Sequence, residues 1–177
     1  MDSTAGKVLV ATPLILGAPF ERSVVVMLEH DENGAVGVVA NLPTDIPVDE
    51  VLPGFDVRIH PPAVVFIGGP VATDTAVIVG RSPSGPFLIS SPDGDVGILD
   101  TSEPVTDADH VRVFAGYSGW SAGQLEFELA EDSWWVLPLD LDVVFSQDVS
   151  TVWARVLASA PAPIAYHATF PDDPSTN

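Results

Sequence analysis

Residues 23–41 read Ser-Val-Val-Val-Met-Leu-Glu-His-Asp-Glu-Asn-Gly-Ala-Val-Gly-Val-Val-Ala-Asn. Two β-branched runs flank Asp31-Glu32-Asn33-Gly34. Asn-Gly accepts the positive φ that a tight turn requires. The segment therefore reads as a β-hairpin with strands at Ser23–His30 and Ala35–Ala40. Both runs are apolar throughout their centres, which means burial on both faces.

The rest of the chain supplies what covers such a hairpin. Lys7–Ala11 reads as a first strand, ended by Thr12-Pro13. Pro47–Leu52 reads as a short helix with Pro in its first turn, stopped at Pro53-Gly54. Ala63–Ile67, Ala76–Gly80, Phe87–Ser90, Val111–Ala115, Trp134–Leu137 and Val143–Phe145 read as further strands, with a turn at Asp93-Gly94-Asp95. Residues 121–130 fit two patterns. Gln124, Glu126 and Glu128 alternate with Leu125, Phe127 and Leu129 as in a strand. Ser121 and Gln124 match a capping box ahead of good helix formers, and helix is the preferred assignment. Val149, Val152, Trp153, Val156 and Leu157 form a helical stripe. The Pro-rich tail, 161–177, is expected to be extended and draped over the core. Strands dominate without regular βαβ alternation. The expected class is α+β, one domain over 1–177 with a mixed sheet and short helices.

Bulk properties exclude several function classes. With 177 residues, 46% apolar and 18% charged, the chain suits one domain with a substantial core and not a disordered segment. No apolar run approaches the roughly 20 residues of a membrane span. The start, MDSTAGKVLVATP, lacks the basic and apolar regions of a secretory signal, so a soluble cytoplasmic protein is expected. The absence of cysteine removes disulfides, thiolate metal sites and cysteine nucleophiles. Twenty-five acids against six bases give a net charge of −19, and Lys7 is the only lysine. Such a chain repels nucleic-acid phosphates, so direct DNA contact is disfavoured. The acids are scattered, which fits solubility, and they can also attract a basic partner.

No motif specifies a reaction. The chain has no phosphate loop, no GxGxxG after a strand and no HExxH. Asp93-Gly94-Asp95 begins like a calcium loop but meets Pro104 where the twelfth-position Glu belongs. Gly116-Tyr117-Ser118-Gly119 is one residue short of a nucleophile elbow. No cofactor or metal site is expected. Glu29-His30-Asp31-Glu32 fits a polar strand end better than a partial metal or acid–base site. Gly68-Gly69-Pro70 fits a tight turn better than a backbone anion site.

Taken in order, these motifs resemble the YqgE/AlgH family. The resemblance is carried by Gly6–Pro13, Phe20–Val24, Glu29-His30, Gly34-Ala35, Gly37, Asn41, Pro43 and Gly68-Gly69-Pro70-Val71. It continues through Gly116-Tyr117-Ser118-Gly119-Trp120, Gly123-Gln124-Leu125-Glu126, Glu128, Trp134 or Trp135, Phe145 and the tail from Phe170. Leu42 stands where the family usually has Arg, removing one charge from any anion site there, and the stretch from Phe87 to His110 is short. The resemblance implies an α+β fold with a partly barrel-like mixed sheet, and no established catalytic residues. Some members carry the label of transcriptional regulator.

Three functions follow. The first is a non-enzymatic binding or regulatory protein acting through a protein partner or a small ligand. Its candidate surface is His30, Asn41, Gly68, Gly69, Pro70, Tyr117, Trp120, Gln124, Glu126 and Glu128. The second is a hydrolase or transferase using His30 with Glu126 and Glu128. The third is a transcriptional regulator. Within GYSGWSAGQLE, Gly116 and Gly119 are expected to turn a strand end sharply, and Gly123 to allow close packing at a helix start.

Overall fold

The computed structural model describes residues 2–94 and 96–170. Its strands are β1 (Lys7–Ala11), β2 (Val24–Asp31), β3 (Gly34–Val39), β4 (Pro43–Pro47), β5 (Val64–Ile67), β6 (Val71–Arg81), β7 (Phe87–Ser90), β8 (Val96–Leu99), β9 (Asp109–Ser121) and β10 (Trp134–Pro138). Four short helices, α1 (Val48–Val51), α2 (Gln124–Ala130), α3 (Leu141–Val144) and α4 (Val152–Ala158), are interspersed.

The sheet runs β10-β1-β2-β3-β9-β6-β8-β7, with β5 joining β4 to β9 off this path. All neighbours are antiparallel except β5 and β9, so the sheet is mixed. It curls into a half-barrel with short helices around it, a single α+β domain. The hairpin forms as expected, with His30 opposite Ala35 and Asp31 opposite Gly34.

Burial explains the apolar texture of the strands. Along β1, Val8 and Val10 enter one cluster while Leu9 and Ala11 enter another on the opposite face. In β2, Val24 and Val26 join the first, Val25 and Met27 the second. The first cluster is closed by the α4 side chains Val152, Trp153, Val156 and Leu157. The second gathers Trp120, Leu125 and Trp134, with Phe20 and Ile15 packed against it. Leu42, in the family's arginine position, packs there too.

Several expectations need correction. β4 lies where no strand was expected, because its two prolines confine it to an edge position. β8 was likewise unanticipated. Residues 143–145 are not a strand. Asp140 accepts hydrogen bonds from the backbone N–H groups of Asp142 and Val143 and starts helix α3 instead. The tail is not extended over Ile164–Thr169, which forms a 3₁₀ run with Ile164 and Ala168 on the core. Residues 171–177 lie outside the described part, as does Asp95 of the expected turn.

The largest correction concerns β9. It continues for 13 residues straight through Gly116 and Gly119. Gly116, at φ +67°, kinks the strand without ending it, and the β6–β9 register shifts beside it. Residues 113–115 pair with β5 and residues 118–121 with β3. A Cβ on Gly116 would stand 2.5 Å from the Val71 carbonyl oxygen, so no side chain fits. Gly119 needs neither positive φ nor extra space.

Candidate functional site

Helix α2 begins directly after β9, and its first turn fixes the site. Gly123 takes the left-handed conformation at the helix start, with open space around its Cα. It is therefore there for its φ, not for close packing. The capping box is half formed: the Gln124 side-chain oxygen accepts from the Ser121 backbone N–H at 3.1 Å, without a side-chain cap on the helix itself.

The two carboxylates on α2 point to different places. Residues two apart on a helix project about 200° from each other. Glu126 reaches His30, with Oε1 3.0 Å from Nε2. His30 is 4% exposed at its side chain, and the backbone N–H of Thr4 donates to its Nδ1 at 3.1 Å. That fixed donor assigns the lone pair to Nδ1 and the proton to Nε2, which donates to Glu126. Glu126's own backbone N–H and the His30 ring hold its carboxyl below the ordinary range.

Glu128 turns the other way. Its Oε2 accepts the indole N–H of Trp120 at 2.9 Å and of Trp134 at 2.8 Å. Its Oε1 accepts the Gln124 side-chain amide at 3.0 Å. Both tryptophans are almost buried. Their rings meet edge to face at 6.2 Å, and Phe20 lies 5.7 Å from Trp134 and 6.5 Å from Trp120. A pocket of about 300 Å³ opens over this group, lined by Ile15, Phe20, Pro70, Gly119, Trp120, Gln124, Glu128, Ser133 and Trp134. It is the concave junction of the Gly-Gly-Pro-Val segment with the Gly-Tyr-Ser-Gly-Trp segment.

The expected site residues divide accordingly. Pro70, Trp120, Gln124 and Glu128 line this pocket. His30 and Glu126 pair with each other on another side of α2. Asn41 is elsewhere, clamping the start of β2 through the Val24 N–H and the Arg22 carbonyl. Gly68 and Gly69 pack backbone on backbone: a Cβ on Gly69 would lie 2.3 Å from the Tyr117 carbonyl oxygen. Gly69 also has φ +154°, so it serves the chain path. Tyr117 packs against the first core cluster. Ile15, Phe20 and Ser133 enter the pocket from loops the sequence did not connect to it.

A second group of charges surrounds β9 at its other end. His110 lies between Asp109, 2.8 Å from Nδ1, and Asp142, 3.0 Å from Nε2, and stacks on His60 at 5.1 Å. Burial holds the His60 ring below its ordinary range, aided by the neighbouring Arg112 and His110 charges. The Arg81 guanidinium draws Asp109 down to about 2. Arg112 is fully buried and donates to the carbonyls of Ala40, Pro61, Val144 and Ser146, at 2.7–3.5 Å. It stacks on Phe66 and Phe145, and burial lowers its pKa to about 10. Among the described residues, no group of three His, Cys, Asp or Glu side chains is arranged to hold a metal ion.

Residues 8–165 match the model of a family described as AlgH-like. A UPF0301 protein of Streptomyces avermitilis is 39% identical over 187 residues, covering 100% of this chain and 97% of that one. A UPF0301 protein of Thermobifida fusca is 40% identical, covering 99% and 96%. The crystal structure of a Corynebacterium diphtheriae protein superimposes with a TM-score of 0.84 at 26% identity, covering 96% of this chain and 94% of that one. The solution structure of AlgH from Pseudomonas aeruginosa gives 0.63 at 27% identity, covering 86% and 87%.

Proposed function

The chain belongs to the AlgH-like family, and from that premise we propose a non-enzymatic cytoplasmic binding protein that engages its partner at the pocket over Glu128. One observation carries this reading: three separate segments, 15–20, 70 and 119–134, converge on one concave, aromatic, partly polar site. Its carboxylate is fixed in the pocket wall by three neutral donors, two of them indoles, an arrangement that suits recognition.

The hydrolase or transferase hypothesis keeps one supporting observation, the 3.0 Å His30–Glu126 pair. Two features weigh against it. The Nδ1 lone pair of His30 is occupied by the Thr4 N–H, and Glu128 does not share the His30 site. A regulator acting by direct DNA contact fits the net charge of −19 poorly. No helix among the described residues is long and apolar enough to cross a membrane.

The substitution Gln124→Lys tests the proposal. Gln124 is exposed, and a lysine four residues before Glu128 puts an ammonium over the pocket. Immobilised wild type and variant, both folded by circular dichroism, are compared in capture from the native cell lysate. A protein or ligand held by the wild type and lost from the variant supports the reading. Identical captured sets overturn it.

A further inference from the structure

Resting on that reading of the pocket, we propose that its occupant is a lysine side chain of a partner protein, presented from an apolar segment. Charge comes first. Glu128 is half-buried, and among the described residues no basic side chain pairs with it. All three of its hydrogen-bond donors are neutral. None of the nine lining residues is basic. The chain's one lysine, Lys7, is engaged with the Ser3 carbonyl.

Ring chemistry points the same way. A cation near a tryptophan or phenylalanine ring gains from the ring quadrupole, tryptophan most. The pocket presents two tryptophans and a phenylalanine beside an anionic oxygen. Lysine fits the remaining acceptor geometry better than arginine. A guanidinium fork needs two parallel acceptors, and Oε2 is already shared by two indoles. Only Oε1, with one donor, has room for another, and a compact ammonium uses a single oxygen.

Exposed apolar residues next in sequence to the lining residues select the source. The loop that supplies Ile15 and Phe20 holds Leu14 and Leu16 out in solvent, 70% and 81% exposed. Helix α2, which supplies Gln124 and Glu128, exposes Phe127 at 66%. Each adjoins a lining residue in sequence, Leu14 and Leu16 beside Ile15 and Phe127 beside Glu128, and apolar side chains left in water next to a concave site favour a protein partner. A free diffusing amine has no use for them, whereas a lysine flanked by apolar residues covers them on binding. The excess of 19 negative charges favours the same partner.

Two synthetic peptides test this: acetyl-Ala-Leu-Lys-Leu-Ala-amide and its counterpart with norleucine replacing lysine. The probe is the indole N–H signals in ¹H–¹⁵N spectra at physiological salt. Those of Trp120 and Trp134 report on the pocket, and that of Trp153, which donates to the Ala11 carbonyl in the core, is the internal control. The lysine peptide is expected to shift the two pocket signals at least about tenfold below the concentration the norleucine peptide needs. Glu128→Gln keeps an acceptor for the indoles and is expected to erase that difference. If Glu128→Gln loses its near-ultraviolet circular dichroism, Gln124→Lys replaces it and should abolish the lysine-peptide shift. Equal binding of the two peptides overturns the cation and leaves the pocket reading standing. Equal binding of 1,5-diaminopentane and the lysine peptide overturns the protein-borne source. No shift with either peptide at millimolar concentration overturns the inference, and the Gln124→Lys capture comparison then judges the pocket reading separately.

Discussion

Arg112 and Glu128 are both charges whose immediate hydrogen-bond partners are neutral, and they sit in opposite situations. Arg112 is sealed inside, its guanidinium spread over four backbone carbonyls and between two phenylalanines. Glu128 lies at the wall of a pocket, held by side chains that form that wall. The buried cation braces. It ties β9 to the end of β3, to the segment before β5 and to the C-terminal end of α3. Burial lowers its pKa to about 10, a cost the carbonyls and rings offset. The half-buried anion leaves one oxygen, Oε1, with a single donor at the pocket wall, which is what a recognition site needs. The contrast teaches that charge alone does not separate structure from function here; access does.

The sharpest way to break the comparison is Arg112→Met. It fills the space but strands several buried carbonyls, and the expected loss is about 3 kcal/mol or more in urea unfolding. A loss below about 1 kcal/mol would show that the guanidinium is not a brace. Next is Gly116→Ala, in the strand that links the two regions. A side chain must adopt φ +67° against the Val71 carbonyl, for an expected cost of about 2 kcal/mol in the same measurement. A neutral result there would mean that β9 does not need its kink. Glu128→Ala comes third. Two nearly buried indole N–H groups lose their acceptor, for about 2 kcal/mol at most, while Glu128→Gln should cost less than about 1 kcal/mol. Similar losses for both variants would place the importance of Glu128 in its charge instead of its acceptor oxygens.

The smallest effect concerns pH. Arg81 depresses Asp109 from 3.8 to about 2. A depressed carboxylate contributes stability that is present above its ordinary pKa and is lost as pH falls through its folded value. The contribution should therefore fade between about pH 4 and pH 2. Both side chains are well exposed, so it amounts to less than about 1 kcal/mol. Asp109→Asn should flatten that part of the acid-unfolding profile. An unchanged profile would assign the acid sensitivity of this end of β9 to other groups.

Much of the fold was legible from the chain. The hairpin, β1, the α4 stripe and the preference for helix within 121–130, realised at Gln124–Ala130, follow from periodicity and turn chemistry, which act over a few residues. The apolar texture of β2 stated that both its faces are covered, and Val24 and Val25 do enter opposite clusters. Where a distant contact overrode the local signal, the sequence misled. Residues 143–145 look like a strand, but the distant Arg112 guanidinium on the Val144 and Ser146 carbonyls, added to the local Asp140 cap, favours a helical turn. Gly116 and Gly119 look like a strand end, because a kinked strand and a turn use the same residue type.

The site was legible in parts only. Trp120, Gln124 and Glu128 could be singled out as one dense stretch, and Pro70 as part of another. That the two stretches meet, that Phe20 and Ile15 close the pocket, and that Glu126 leaves it for His30 depend on pairings of residues 26 to 120 positions apart. Composition and local pattern determined the class of this protein, its strands and the two-faced burial of its hairpin, since those are properties of neighbouring residues. Which charges are sealed and which are open was decided by the tertiary structure, because the donors, acceptors and rings around a charge come from segments brought together only when the sheet curls.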